Sequence, residues 1–223
     1  MGWIEFLVAF AVFFLTHSIP VRPTMKPWLT ARLGAAGFTA AYSILSLSSL
    51  MWLILAAARA PFLQLWPYAQ WQNHIPLTAM LPVCLIAALT IGRPNPFSFG
   101  GAHNDRFDPA HPGIVRLNRH PLLLAIGFWA AVHLFPNGNL AHVLLFGVFL
   151  LFAIAGARII DRRKKREMGS DWATLLAQTR EASLFGAPLS WGGLTLRLLI
   201  GIAAYFALMW LHPYLFGVSP FPG

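Results

Sequence analysis

Three histidines stand where an imidazole has chemistry to do. His17 closes the first apolar run, His133 lies near the end of Leu122–Phe135, and His120 precedes that run in Asn118-Arg119-His120-Pro121. An ionisable group placed within a lipid-facing segment is costly, so each reads as functional and needs a partner. A neutral imidazole projecting between apolar helices is suited to axial ligation of a haem iron. The chain holds no His-Glu-x-x-His, Cys-x-x-Cys, P-loop or Gly-x-Ser-x-Gly, so metal-cluster and nucleophile-base chemistry have no motif to rest on. His120 and His133 are separated by about 20 Å of helix and about 220° of rotation, too far for one small ligand to take both. His17 and His120 share the inner side, which makes them an alternative pair, while Glu5 is expected to hold the tautomer of His133 on the outer side. His74, His103 and His142 read as interfacial, and His212 is left open.

The elements that must position these rings are apolar helices. Hydrophobic residues make up 57% of the 223-residue chain and charged residues 10%, and mean hydropathy is +0.63. That balance excludes an ordinary soluble domain. Six apolar stretches predict an all-α, polytopic transmembrane bundle of about six spans: Trp3–Thr16, Leu33–Ala58, Ile75–Ile91, Leu122–Phe135, Leu140–Ile160 and Leu194–Leu211. The first and fourth are short against the ~20 residues of an untilted crossing. The first carries Glu5 in place of a basic leader region, so it reads as a retained span rather than a signal peptide. Residues 1–223 read as a single domain without repeats.

Charge gives the orientation. In a six-span arrangement, all but Arg59 of the 16 Lys and Arg fall on one side. Basic residues are retained in the cytoplasm, so both termini are placed on the non-cytoplasmic side. The net charge of +9 then has a topological and lipid-headgroup cause, and the run Arg162–Arg166 reads as a stop signal rather than a nucleic-acid site. The lone Cys84 reads as a small apolar filler.

The cytoplasmic connections, at about 18–32, 92–119 and 161–193, hold nearly all the polar chemistry. Pro20, Pro23 and Pro27 predict a stiff extended turn in the first. The second is long enough to be functional, and its aromatic and glycine content predicts ordering against the membrane. The third predicts a basic helix end followed by an amphipathic segment around Trp172, Leu175 and Leu176 lying in the interface. On the other side, Pro136-Asn137-Gly138-Asn139 predicts a tight turn between spans four and five, and Trp66, Tyr68 and Trp71 suit an aromatic belt.

Four blocks carry a resemblance to a known family. They are Asn95-Pro96-Phe97-Ser98; His111-Pro112-x-Ile114-x-Arg116-x-x-Arg119-His120-Pro121-Leu122-Leu123; Trp129-x-x-x-His133-x-x-x-Asn137-Gly138; and Gly156 with Ile160-Asp161-Arg162-Arg163. Together they closely resemble the NnrU family of bacterial inner-membrane proteins, which is named for a link to nitrite and nitric oxide respiration, or denitrification. That family also looks related to plastid 15-cis-zeta-carotene isomerase, a membrane protein that uses haem b. The resemblance implies haem b with His17 and His133 as ligands, since His17-Ser18 matches the isomerase's first-span histidine and serine and His133 its histidine four residues after a Trp. Ala130 stands where the isomerase has a cysteine, a departure from its redox-switched mechanism. Arg119-His120-Pro121 followed by a basic inner segment is also similar to the isoprenylcysteine and phospholipid methyltransferases, whose paired glutamate is missing here.

The resulting readings are a haem b binder serving nitrogen-oxide respiration, a membrane enzyme acting on a lipid-soluble substrate by polyene isomerisation or by methyl transfer from S-adenosylmethionine, and a cofactor-free assembly factor for a respiratory complex. The expected surroundings are the lipid bilayer, with no nucleic acid.

Overall fold

The computed structural model describes residues 2–183, 186 and 188–221. Among the described residues helix accounts for 74%, and extended pairing is limited to the bridge between Gln64 and Asn139. Among the described residues seven α-helices follow in order: α1 Gly2–Ser18, α2 Met25–Arg59, α3 His74–Thr90, α4 Pro121–Leu134, α5 Leu140–Met168, α6 Ser170–Glu181 and α7 Trp191–Phe216. By length and composition, four are able to cross a membrane: α2, Gln70–Thr90, α5 and α7; α1 and α4 are shorter apolar helices. The 17 residues of α1 and 14 of α4 reach about 26 and 21 Å, against a hydrocarbon core of about 30 Å.

Apolar surface is worn outside. Leu7, Ile44, Leu47, Leu151, Ile154, Leu199 and Phe206 are all exposed, a pattern water would penalise and lipid does not.

Backbone contacts divide the chain into two compact units, Met1–Pro67 with Gly138–Leu145, and Tyr68–Asn137 with Phe146–Gly223. In the first, α1 packs on α2. Phe6, Ala9 and Phe13 are buried at helical spacing on α1, and Leu53, Ala56 and Ala57 on α2. The pair is closed at one end by Arg59, whose Nη2 and Nε donate to Glu5 at 2.5 and 3.3 Å, with Trp52 Nε1 at 3.4 Å. Glu5 is therefore committed to Arg59 and Trp52, not to a histidine as expected. The first connection also differs from the expected extended turn. It is a compact turn over residues 19–24, and helix resumes at Met25 with Pro27 in its first turn, where a missing N–H leaves no bond unmade. Gly34, at φ 71° and ψ 165°, kinks α2 in a conformation open to glycine. The kink sets off residues 25–33 from the apolar remainder, so the predicted start at Leu33 marks the bend.

In the second unit α3 packs on both α4 and α7. Gly201 lets α7 approach: a Cβ there would lie 3.0 Å from Leu85 Cα and 3.2 Å from the Cys84 carbonyl. Arg197 Nη1 donates to the carbonyls of Ala88 and Ile91 at 2.7 and 2.9 Å, satisfying the end of α3. The turn after α4 is short, as expected. α5 runs on beyond Ile160 to Met168, because its basic run is itself helical until Gly169, at φ 59°.

The apolar face of α6, which the sequence reading turns toward the membrane interface, packs on protein. Trp172 and Leu176 form a core with Phe97 and Val115, flanked by Phe107, Met168 and Leu175. Its apolar face is covered by the connection 92–119. The third connection spans residues 184, 185 and 187, which lie outside the described residues.

Candidate functional site

The long connection folds into a collar under α4. Gly92 N–H donates to Gly100 O at 3.1 Å, and Ala102 N–H to Arg93 O at 3.1 Å, which closes a tight loop. Gly101 is required inside it, since a Cβ would sit 2.8 Å from the Arg93 carbonyl oxygen and 3.0 Å from Asn95 N. Asn95, 1% exposed, organises the interior. Its Oδ1 accepts from Phe97 N–H at 3.0 Å, its Nδ2 donates to Arg119 O at 3.0 Å, and its own N–H donates to Asn104 Oδ1 at 2.9 Å. Arg116 Nε reaches the Ala182 carbonyl at 2.8 Å, tying the collar to the end of α6.

At the centre is Asp161 of α5. Arg119 grips it in a two-point fork, Nε to Oδ1 at 2.9 Å and Nη2 to Oδ2 at 2.5 Å, the geometry a guanidinium is built for. His120 Nε2–H donates to the same Oδ1 at 3.0 Å, and Ser98 Oγ lies 3.0 Å from His120 Nδ1. Because the carboxylate only accepts, Nε2 carries the proton, and Nδ1 accepts from the serine hydroxyl. Burial pushes the His120 imidazole below its ordinary pKa, against the pull of Asp161, while the Asp161 hydrogen bonds raise that of Arg119. Nearer solvent, His111 Nδ1 donates to Asp108 at 2.7 Å and holds that carboxyl below its ordinary value.

Ser98, His120 and Asp161 are thus in hydrogen-bonded series, the connectivity of a hydrolytic triad. Ser98 and His120 are each 5% exposed, and Arg119 already neutralises the carboxylate. A nucleophile needs access to substrate, and this serine lacks it; the series is a structural clamp.

The other two histidines differ in kind. His17 Nδ1–H donates to the Phe13 carbonyl at 2.8 Å, and its ring lies 3.9 Å from that of Phe13 and 6.1 Å from that of Tyr42. His133 Nδ1–H donates to the Trp129 carbonyl, also at 2.8 Å, beside the rings of Trp129 at 5.7 Å and Phe146 at 5.3 Å. Each bond spans four residues of its own helix and fixes the tautomer that leaves Nε2 with its lone pair. No hydrogen bond reaches either Nε2 among the described residues. Tyr42 Oη donates to His17 O at 3.1 Å and Asn137 Nδ2 to His133 O at 2.8 Å, steadying the backbone that carries each ring. Both therefore fit axial ligation, which needs a neutral imidazole with its other nitrogen hydrogen-bonded. His120, with both nitrogens engaged, has no lone pair to offer while the clamp stands. No cluster of three or more metal-ligating side chains occurs among the described residues.

Within the second unit the structure joins Asn95, Ser98, Arg119, His120 and Asp161, which the sequence presents as separate blocks. Asp161 is the residue sequence reasoning left without a role. Its signal was available: an acid at the very end of an apolar run, followed directly by five basic residues.

Apolar helices, an ordered polar collar and histidines set into the helices define an all-helical protein of the membrane type. The match to a known family is more particular: the chain belongs to the NnrU protein family, which it matches over residues 5–220. No curated protein and no solved structure matches it.

Proposed function

We propose that the protein is a haem b binder of the bacterial inner membrane, with His17 and His133 as axial ligands, serving nitrite and nitric oxide respiration. The observation that carries the reading is the identical local state of the two rings. Each spends Nδ1 on the carbonyl four residues back, is flanked by aromatic rings and keeps Nε2 open. When bound, haem would supply a redox-active iron. The chain's own work is to hold each imidazole neutral, in one tautomer, among apolar neighbours. The respiratory role is supported by family membership alone.

The same reading has α1 to α5 and α7 as six crossings, with both termini outside and the collar in the cytoplasm. The asymmetry of Lys and Arg supports it. A methyl-transfer cleft at Arg119 and His120 is less well supported, because both side chains are committed to Asp161.

The test is an absorption spectrum of detergent-purified protein, oxidised and dithionite-reduced, with a pyridine haemochrome assay. A Soret band that moves on reduction, with sharp α and β bands, is the expected result. A flat visible spectrum after expression with added haem would overturn the reading.

A further inference from the structure

The C-terminal half of α5 has surface that neither the histidines nor the collar uses. Phe152, Ala155, Ile159, Arg162 and Arg166 follow one another at alternating steps of three and four, so they form one stripe, and all five are exposed. Leu151 and Ile154, 66% and 53% exposed, widen its apolar half. Within a single turn, between Ile159 and Arg162, the stripe changes from apolar to basic. There Ile159, Arg162, Lys165 and Arg166 line an open groove of about 510 Å³.

The charges in this groove are unspent. Glu167 pairs with Arg163 at 3.5 Å and with Lys164 at 3.0 Å, and Asp161 is taken by the clamp. Among the described residues no carboxylate pairs with Arg158, Arg162 or Arg166. Lys165 is steadied by Trp172, its Nζ 4.5 Å from the ring centroid, which holds an ammonium at the groove wall.

We propose that this groove binds an anionic membrane phospholipid, its phosphate between Arg162 and Arg166 and an acyl chain along Ile159, Ala155 and Phe152. Two guanidiniums one helical turn apart offer the forked donors a phosphate accepts. A free anion would use the basic half alone, whereas the exposed apolar half continues the same stripe, and only a lipid matches both. The inference rests on α5 crossing the bilayer and is independent of haem.

The experiment titrates delipidated full-length protein in nonionic detergent with dioleoyl-phosphatidylglycerol or dioleoyl-phosphatidylcholine, reading bound lipid by native mass spectrometry. Wild type should retain the anionic lipid in preference to the zwitterionic one. Each basic residue near an anionic surface contributes about fivefold, so Arg162→Gln with Arg166→Gln should weaken phosphatidylglycerol binding about 25-fold. Arg163→Gln, in the same run but paired with Glu167, should change it less than about twofold. Arg162→Lys with Arg166→Lys should keep the preference, separating lost charge from lost fold. Equal binding of the two lipids, an equal effect of Arg163→Gln, or full displacement by millimolar inorganic phosphate would each overturn the proposal. Alkaline carbonate extraction of the protein from membranes would overturn the spanning reading as well; loss of lipid preference in a carbonate-resistant protein overturns this inference alone.

Discussion

His120 and the pair His17 and His133 have the same side chain, and the structure gives them opposite hydrogen-bonding states. At His120 both nitrogens are consumed, one by a carboxylate and one by a hydroxyl, and the ring becomes a joint in a polar clamp. At His17 and His133 only Nδ1 is consumed, by a carbonyl of the same helix, and Nε2 is left over. What decides whether a histidine is available to a ligand is therefore the partner of its other nitrogen, more than its depth or its burial.

The largest effect that can break this contrast is on haem. His17→Ala and His133→Ala should each remove most of the haem measured per protein by pyridine haemochrome, and His120→Ala should retain it. Full retention in both would sink the ligand assignment, and loss in His17→Ala and His120→Ala with retention in His133→Ala would move it to the inner pair. Next is the clamp: Asp161→Asn strands Arg119 beside a neutral amide. Removing one partner of a buried pair costs about 3–5 kcal/mol, and with Arg119 still 32% exposed about 2 kcal/mol is expected. A thermal unfolding shift amounting to less than about 0.5 kcal/mol would show that the collar does not depend on it. Tyr42→Phe and Asn137→Ala each delete one hydrogen bond to a histidine carbonyl. They should cost about 1 kcal/mol of stability and weaken haem retention without abolishing it, whereas complete loss would make these residues more than supports.

The smallest effect is on pH. His120 has a folded pKa below its ordinary value of about 6.5, so the unfolded chain binds the proton more readily. Stability should accordingly fall as pH drops below about 6.5, and the slope should be absent in His120→Gln. A wild type and variant with the same slope between pH 7 and 5 would show that another group titrates.

The helices were legible because burial in lipid demands a signal along the chain itself. Predicted and observed ends of α3 and α4 agree within a residue, while α5 ran long because a basic run is as good a helix former as an apolar one. The clamp was not legible, because its members are 22 and 41 residues apart and no periodicity links them. α6 shows the limit most directly. Trp172, Leu175 and Leu176 define an apolar face, but a one-dimensional pattern is the same whether that face meets lipid or Phe97. Glu5 teaches the same lesson, as its partner Arg59 was the one basic residue assigned to the outer side.

The clamp also has a consequence in time. Arg119 leaves the ribosome 42 residues before Asp161, and synthesis at about 5–20 residues per second makes that interval roughly 2–8 s. For those seconds Arg119 and His120 wait without the carboxylate that joins them, and the clamp closes only when the far end of α5 has been made.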